Sequence, residues 1–252
     1  MKSRLFRSSA CILGLLLVAA CDGQGAASAD TTSNFTTAAD ALSVRLKAGV
    51  PPVKDSAVAG FESEASRGLQ TLGTPALPLR GFDSYDDLCG KTAQIAGAYI
   101  NAGAEGAPEA SRAEIMNRNA TQYIDQLFTP LLFSAHCSAA HMPFLEKETG
   151  SDVVASKAAA LQQVRAGAYG QVAGLLQMAA ASDLDEARRK RIVELLAADA
   201  PNFAIIFSNA QRQELSNGAE SVRANLPDAA KGDVDRIKAG LSSTPCGPLC
   251  KM

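Results

Sequence analysis

The stretch Leu161-Gln-Gln-Val-Arg-Ala-Gly-Ala-Tyr-Gly170-Gln-Val-Ala-Gly-Leu-Leu-Gln-Met-Ala179 puts Leu161, Val164, Ala168, Val172, Leu175 and Ala179 at steps of three and four. That is the period of one face of an α-helix, whereas a half-buried strand alternates every second residue. The register predicts a long helix over residues 151–181. Gly167, Gly170 and Gly174 lower its helix propensity, and the expected reason is close approach of a neighbouring helix. A membrane dimer motif at Gly170-x-x-x-Gly174 is disfavoured by Gln162, Gln163, Arg165 and Gln171, which are too polar for a lipid-facing segment.

Helical signals recur on both sides of this stretch. Upstream, Thr129-Pro130 reads as an N-cap followed by Pro at the first helical position, opening an apolar segment from Leu131 to His141 that should be central, with Pro143 ending or kinking it. Thr37 to Asp40, Ser84 to Asp87, Ser111 to Glu114 and Ser182 to Asp185 match the capping-box spacing and predict helix starts. A further helix is expected from about Asp55 to Leu72, with Val58, Phe61, Ala65, Leu69 and Leu72 on one stripe. Pro75 and Pro78 mark a loop over 73–82, and Asn217-Gly218 reads as a break before the last helical pieces, which end near Leu241. Alternating strand patterns and internal repeats are not evident. The expectation is an all-α bundle of about eight helices in one domain, residues 34–252.

Composition agrees. The chain has 252 residues, 47% hydrophobic but only 5% aromatic, and about a fifth are Ala, the best helix former. A formal charge of −2 removes the basic footprint expected of a nucleic-acid binder.

The N-terminus carries an address. Lys2, Arg4 and Arg7 precede an apolar run from Ala10 to Ala20, which is a secretory-signal pattern and about half the ~20 residues needed to span a bilayer. It closes with Leu17-Val-Ala-Ala-Cys21, which resembles the lipobox of bacterial lipoproteins. The resemblance covers the first 21 residues and no domain family is recognised beyond them. It implies that residues 1–20 are a signal peptide, that Cys21 becomes the acylated first residue of the mature chain, and that Asp22 favours the inner over the outer membrane. Several acyl chains would make the attachment stable where one alone is marginal. Residues 21–33 hold little to bury, and Gly23 to Ser33 read as a flexible tether spanning roughly 20 Å. Loss of residues 1–20 removes three cations and no acid, so the mature body is more acidic than the whole chain and is expected to stand off an anionic bilayer.

With Cys11 in the signal and Cys21 lipidated, Cys89, Cys137, Cys246 and Cys250 remain. An even set in an exported chain reads as two disulfides with three possible connectivities. The favoured pairing joins Cys89 to Cys137, across two core helices, and Cys246 to Cys250, around a small C-terminal loop. His136, His141, Met142 and the cysteines form the sharper alternative, a periplasmic copper or redox site. Five residues apart on a helix, however, the two imidazoles diverge by about 140° rather than converging on one ion. No serine-hydrolase elbow, phosphate loop or dinucleotide fingerprint is present. No cofactor and no enzymatic activity are therefore expected. The function expected is non-enzymatic: a lipid-anchored, periplasm-facing module that binds an unidentified envelope protein, with an immunity or inhibitor protein as its specific form.

Overall fold

The computed structural model describes residues 29–252, except 75, 76, 78, 80, 81 and 150. The signal-like segment, Cys21 and Asp22 lie outside the described residues. The described chain is helical almost throughout, its only extended pairing being an isolated bridge between Leu72 and Leu77. Along the chain come α1 (Ala29–Leu46), α2 (Ser56–Thr71) and α3 (Phe82–Tyr85), which passes through a π-helical turn, Asp86–Gly90, into α4 (Lys91–Ile100). Then follow α5 (Glu109–Gln122), α6 (Ile124–Glu148), α7 (Ser151–Ser156), α8 (Ala158–Ala180) and α9 (Glu186–Ala204). The chain closes with α10 (Asn209–Val222), α11 (Asp228–Ser243) and α12 (Pro248–Lys251). The all-α, disulfide-stabilised bundle is as expected, with more helical segments because several are a turn or two long.

The central position of α6 organises the rest. Its Leu127, Phe133 and Cys137 enter one apolar cluster, with Phe35, Ala39 and Leu42 of α1, Phe61 and Ala65 of α2, and Ile95 and Tyr99 of α4. Its Phe128, Leu132, Ala135, Ala139 and Met142 enter a second, filled by α8, α9, α10 and α11. A helix apolar on most sides has to sit between two such layers, since leaving either face in water would forfeit its burial energy. Phe35 packs edge-on to Phe61 at 5.7 Å and against Phe133 at 5.1 Å between ring centres. Gly68 of α2 makes room for that phenyl ring, because a Cβ there would collide with Phe133.

Both disulfides form in the expected pairing. Cys89–Cys137 ties the π-helical turn before α4 to α6 with Cα atoms 5.6 Å apart, and Cys246–Cys250 closes the C-terminal loop at 5.2 Å. In the chain-entropy account these contribute about 4 and about 2 kcal/mol.

Local expectations fare unevenly. Pro130 and Pro143 lie inside α6, and Pro201 lies inside α9, so none of them stops its helix. The 151–181 helix breaks at Lys157. Helix α1 begins at Ala29, so residues 29–33 of the expected tether are helical, and Thr37 falls inside it. Ser111 likewise lies within α5, and Asn217-Gly218 within α10. The cap of α9 is Asp185 rather than the expected Ser182, accepting from the Arg188 backbone N–H at 2.8 Å, Ser84 lies within α3, and Asp55 caps α2 through Ala57. At Gly174 a Cβ would meet open space, so close helix approach is not the reason for that glycine.

Candidate functional site

The two histidines take separate roles within α6. His136 directs Nδ1 to both carboxylate oxygens of Asp199 on α9, at 2.9 Å each. Asp199 is buried, and the loss of water pushes its carboxyl above the ordinary range, with the His136 hydrogen bond working against that shift. His141 is buried between aromatic rings, 4.4 Å from the Tyr85 ring centre and stacked at 6.1 Å with Phe144. Its desolvation lowers the imidazole pKa to about 4. The two rings thus face different neighbours, as their spacing implied. Among the described residues, no group of three or more His, Cys, Asp or Glu side chains could hold a metal ion. This weighs against the copper reading.

Two buried or half-buried arginines are occupied by backbone. Arg212 of α10 donates Nε to the Phe207 carbonyl at 3.1 Å and Nη1 to Thr244 at 2.6 Å, with Nη2 on Ala204. Arg165 of α8 donates to the carbonyls of Ile206 at 2.8 Å, Met252 at 3.0 Å and Cys250 at 3.2 Å, and also to Leu249. These guanidinium forks satisfy carbonyls at helix ends that have no intrahelical donor. Spacing along the chain signals neither role, nor Asp199 as the partner of His136, because each depends on which helices become neighbours.

A concave surface lies elsewhere, where α2, the first turns of α6 and the start of α9 meet. A hollow of about 300 Å³ is lined by Glu62, Asp125, Phe128, Thr129, Asp185, Ala187, Arg188 and Arg191. Beside it, a second of about 420 Å³ shares Glu62, Asp125 and Arg188 and adds Val53, Lys54, Asp55, Val58, Ala59 and Gln126. Together they make one open groove. Arg188 is fixed at its middle, paired with Asp125 at 2.5 Å and Asp185 at 3.4 Å and lying over the Phe128 ring at 5.4 Å. Of the basic run Arg188-Arg-Lys-Arg191, Arg188 builds the groove and Lys190 pairs with Glu194 at 3.5 Å. Glu62 and Arg191 are exposed on the rim and enter no ion pair among the described residues. Neither histidine nor cysteine lines the groove. The charged lining of its first hollow consists of the carboxylates of Glu62, Asp125 and Asp185 and the guanidinium groups of Arg188 and Arg191.

Fold and groove together define a class: an all-α, disulfide-stabilised bundle with an open, mixed-charge groove. No family model matches the chain, and no curated protein or solved structure matches it either.

Proposed function

We propose that this chain is a bacterial envelope lipoprotein, held at the bilayer by acylated Cys21 and working as a non-enzymatic protein-interaction module in the periplasm. Retention in the inner membrane through Asp22 belongs to the same reading, as does the narrower form, an immunity-type protein that neutralises an incoming toxin. The ordered series of N-terminal cations, apolar run and Leu17-Val-Ala-Ala-Cys21 supports the anchor. Two disulfides suit an oxidising compartment. Among the described residues no helix is long and apolar enough to cross a membrane.

The observation that carries the interaction reading is the groove between α2, α6 and α9, with fixed Arg188 at its centre and exposed Glu62 and Arg191 on its rim. Charges of both signs held at set positions select a partner by complementarity and penalise mismatched ones. The test is mild crosslinking in envelope extract, comparing the wild type with Glu62→Arg and Arg191→Glu. A crosslinked protein captured by the wild type and lost in both variants supports the reading. Capture that is indifferent to both reversals refutes the groove. Separately, Cys21→Ser should move the protein from the washed membrane fraction to the soluble one, and persistence on membranes would refute the lipid anchor.

A further inference from the structure

Among the described residues, the large hydrophobic side chains that are exposed are Val44, Val50 and Val53, at 67, 84 and 48% of full exposure. All three fall in ten consecutive residues, where α1 ends and the connection to α2 begins. Scattered surface valines would need no explanation, but three within ten residues spanning the end of α1 and the connection to α2 do.

The same segment carries Arg45, Lys47 and Lys54 and no acid between Val44 and Lys54, in a chain whose formal charge is −2. Arg45 is paired with Asp55 at 2.8 Å. Lys47 and Lys54 are exposed and enter no ion pair among the described residues. The backbone beneath is held from inside. Tyr99 donates its hydroxyl to the Pro52 carbonyl at 2.7 Å, Gln126 donates to the Val53 carbonyl at 3.2 Å, and Pro51 is buried. Gly49, at φ 116°, turns the chain in a conformation that side-chain-bearing residues rarely adopt. A loop fixed in this way from behind presents its valines and lysines without paying to order them.

We propose that the 44–54 end of α1 is a docking surface for an anionic phospholipid bilayer, with Val50 and its neighbours entering the interface and Lys47 and Lys54 on headgroup phosphates. Exposed aliphatic side chains beside unpaired cations meet the two requirements of such an interface, apolar insertion and attraction to negative headgroups. Reach is compatible with the anchor. Helix α1 has 18 residues and is about 27 Å long. The chain from Cys21 to Ala29 can extend at most about 28 Å. The inference deepens the envelope reading and rests on it for the presence of the bilayer. It also changes one expectation, since the acidic body would touch the membrane at this end rather than stand off throughout.

The chain has no Trp, so Val50→Trp supplies a single-site reporter at an exposed position. The full mature protein is reconstituted in vesicles of phosphatidylcholine with or without phosphatidylglycerol, and Gln213→Trp on exposed α10 serves as comparison. Emission from position 50 should shift to the blue and be quenched by brominated lipid in the anionic vesicles, while position 213 stays water-like. Lys47→Glu and Lys54→Glu should each weaken the association about fivefold, from ~1 kcal/mol per cation near an anionic surface. An unchanged position-50 signal on anionic vesicles overturns the proposal, as does a response equally strong on neutral ones. Co-flotation with neutral vesicles reports the acyl anchor independently. Should the protein not co-float, the same reporter is read with anionic vesicles added in excess, and silence there also overturns the docking surface.

Discussion

Replacing Gly240 by Ala should destabilise the bundle, although Ala is the better helix former. Gly240 lies in α11 where that helix crosses α9, the most extensive helix pairing in the fold. A Cβ there would sit 2.9 Å from Ala200 Cβ and from Pro201 Cδ, and 3.1 Å from the Pro201 backbone nitrogen. These atoms are a methyl group fixed directly to its backbone and two members of a closed ring, so they cannot rotate aside as a long side chain would. Overpacking of this kind costs about 1–3 kcal/mol, and the rigid neighbours place this site in the upper part of that range. The propensity gain from Gly to Ala returns about 1 kcal/mol. The net expectation is a loss of about 1–2 kcal/mol, or roughly 2–8 °C in Tm for a domain of this size. At Gly232, on the exposed side of the same helix, a Cβ would meet no atom within 4 Å, so Gly232→Ala should stabilise by about 0.4–1 kcal/mol. Urea unfolding reads both, as shifts of midpoint at constant slope. Equal stabilisation by the two substitutions would refute the close crossing of α9 and α11.

Three further outcomes are expected. The His141 pKa is lowered in the folded protein to about 4, so the unfolded chain takes up the proton first as pH falls below 6.5. The stability this group contributes is present above pH 6.5 and lost toward pH 4, by roughly 3 kcal/mol at about 1.4 kcal/mol per unit; His141→Phe should flatten that part of the urea-midpoint profile, and an unchanged slope would contradict it. Arg212→Met should cost about 3 kcal/mol, because the carbonyls of Ala204, Phe207 and Thr244 lose their donor in a buried place, and Arg212→Lys should rescue it poorly for want of the planar fork. Thermal melts of the two variants check this. Removing Cys89–Cys137 as a double Ala variant should cost more than removing Cys246–Cys250, near 4 against near 2 kcal/mol, and non-reducing peptide maps of the wild type should link Cys89 to Cys137.

What was legible in the sequence follows a physical division. Helical period, the central place of α6 and the cysteine pairing could be read because each depends on residues whose spacing along one helix already fixes a face. The prolines misled for the complementary reason. Pro130 and Pro143 each remove a backbone donor and would disrupt an isolated helix at a cost of about 3 kcal/mol, but α6 is buried deeply enough for packing to exceed that cost. The capping-box pattern proved ambiguous for a related reason. Thr37 and Ser111 have the right residues at the right spacing, yet both lie inside longer helices, because a cap competes with continued helix and tertiary contacts decide the outcome.

The polar residues show where the reading along the chain must stop. His136 looks in sequence like free chemistry, and the structure commits it, with Arg165 and Arg212, to holding helices together. His136 meets Asp199 across 63 residues, and Arg165 reaches carbonyls more than 80 residues away. A buried charge has to be matched by partners of this kind, so once the fold is set these groups are largely used up by it. What the fold leaves unmatched is then informative. The unpaired rim charges Glu62 and Arg191, and the exposed Val44, Val50 and Val53 with Lys47 and Lys54, are groups that the bundle does not need for its own stability. They border one another, since Val53 and Lys54 line the outer part of the groove that Glu62 and Arg188 share. A bilayer docked at the end of α1 would therefore hold the groove close to the membrane surface, where a partner arriving at that surface would meet it.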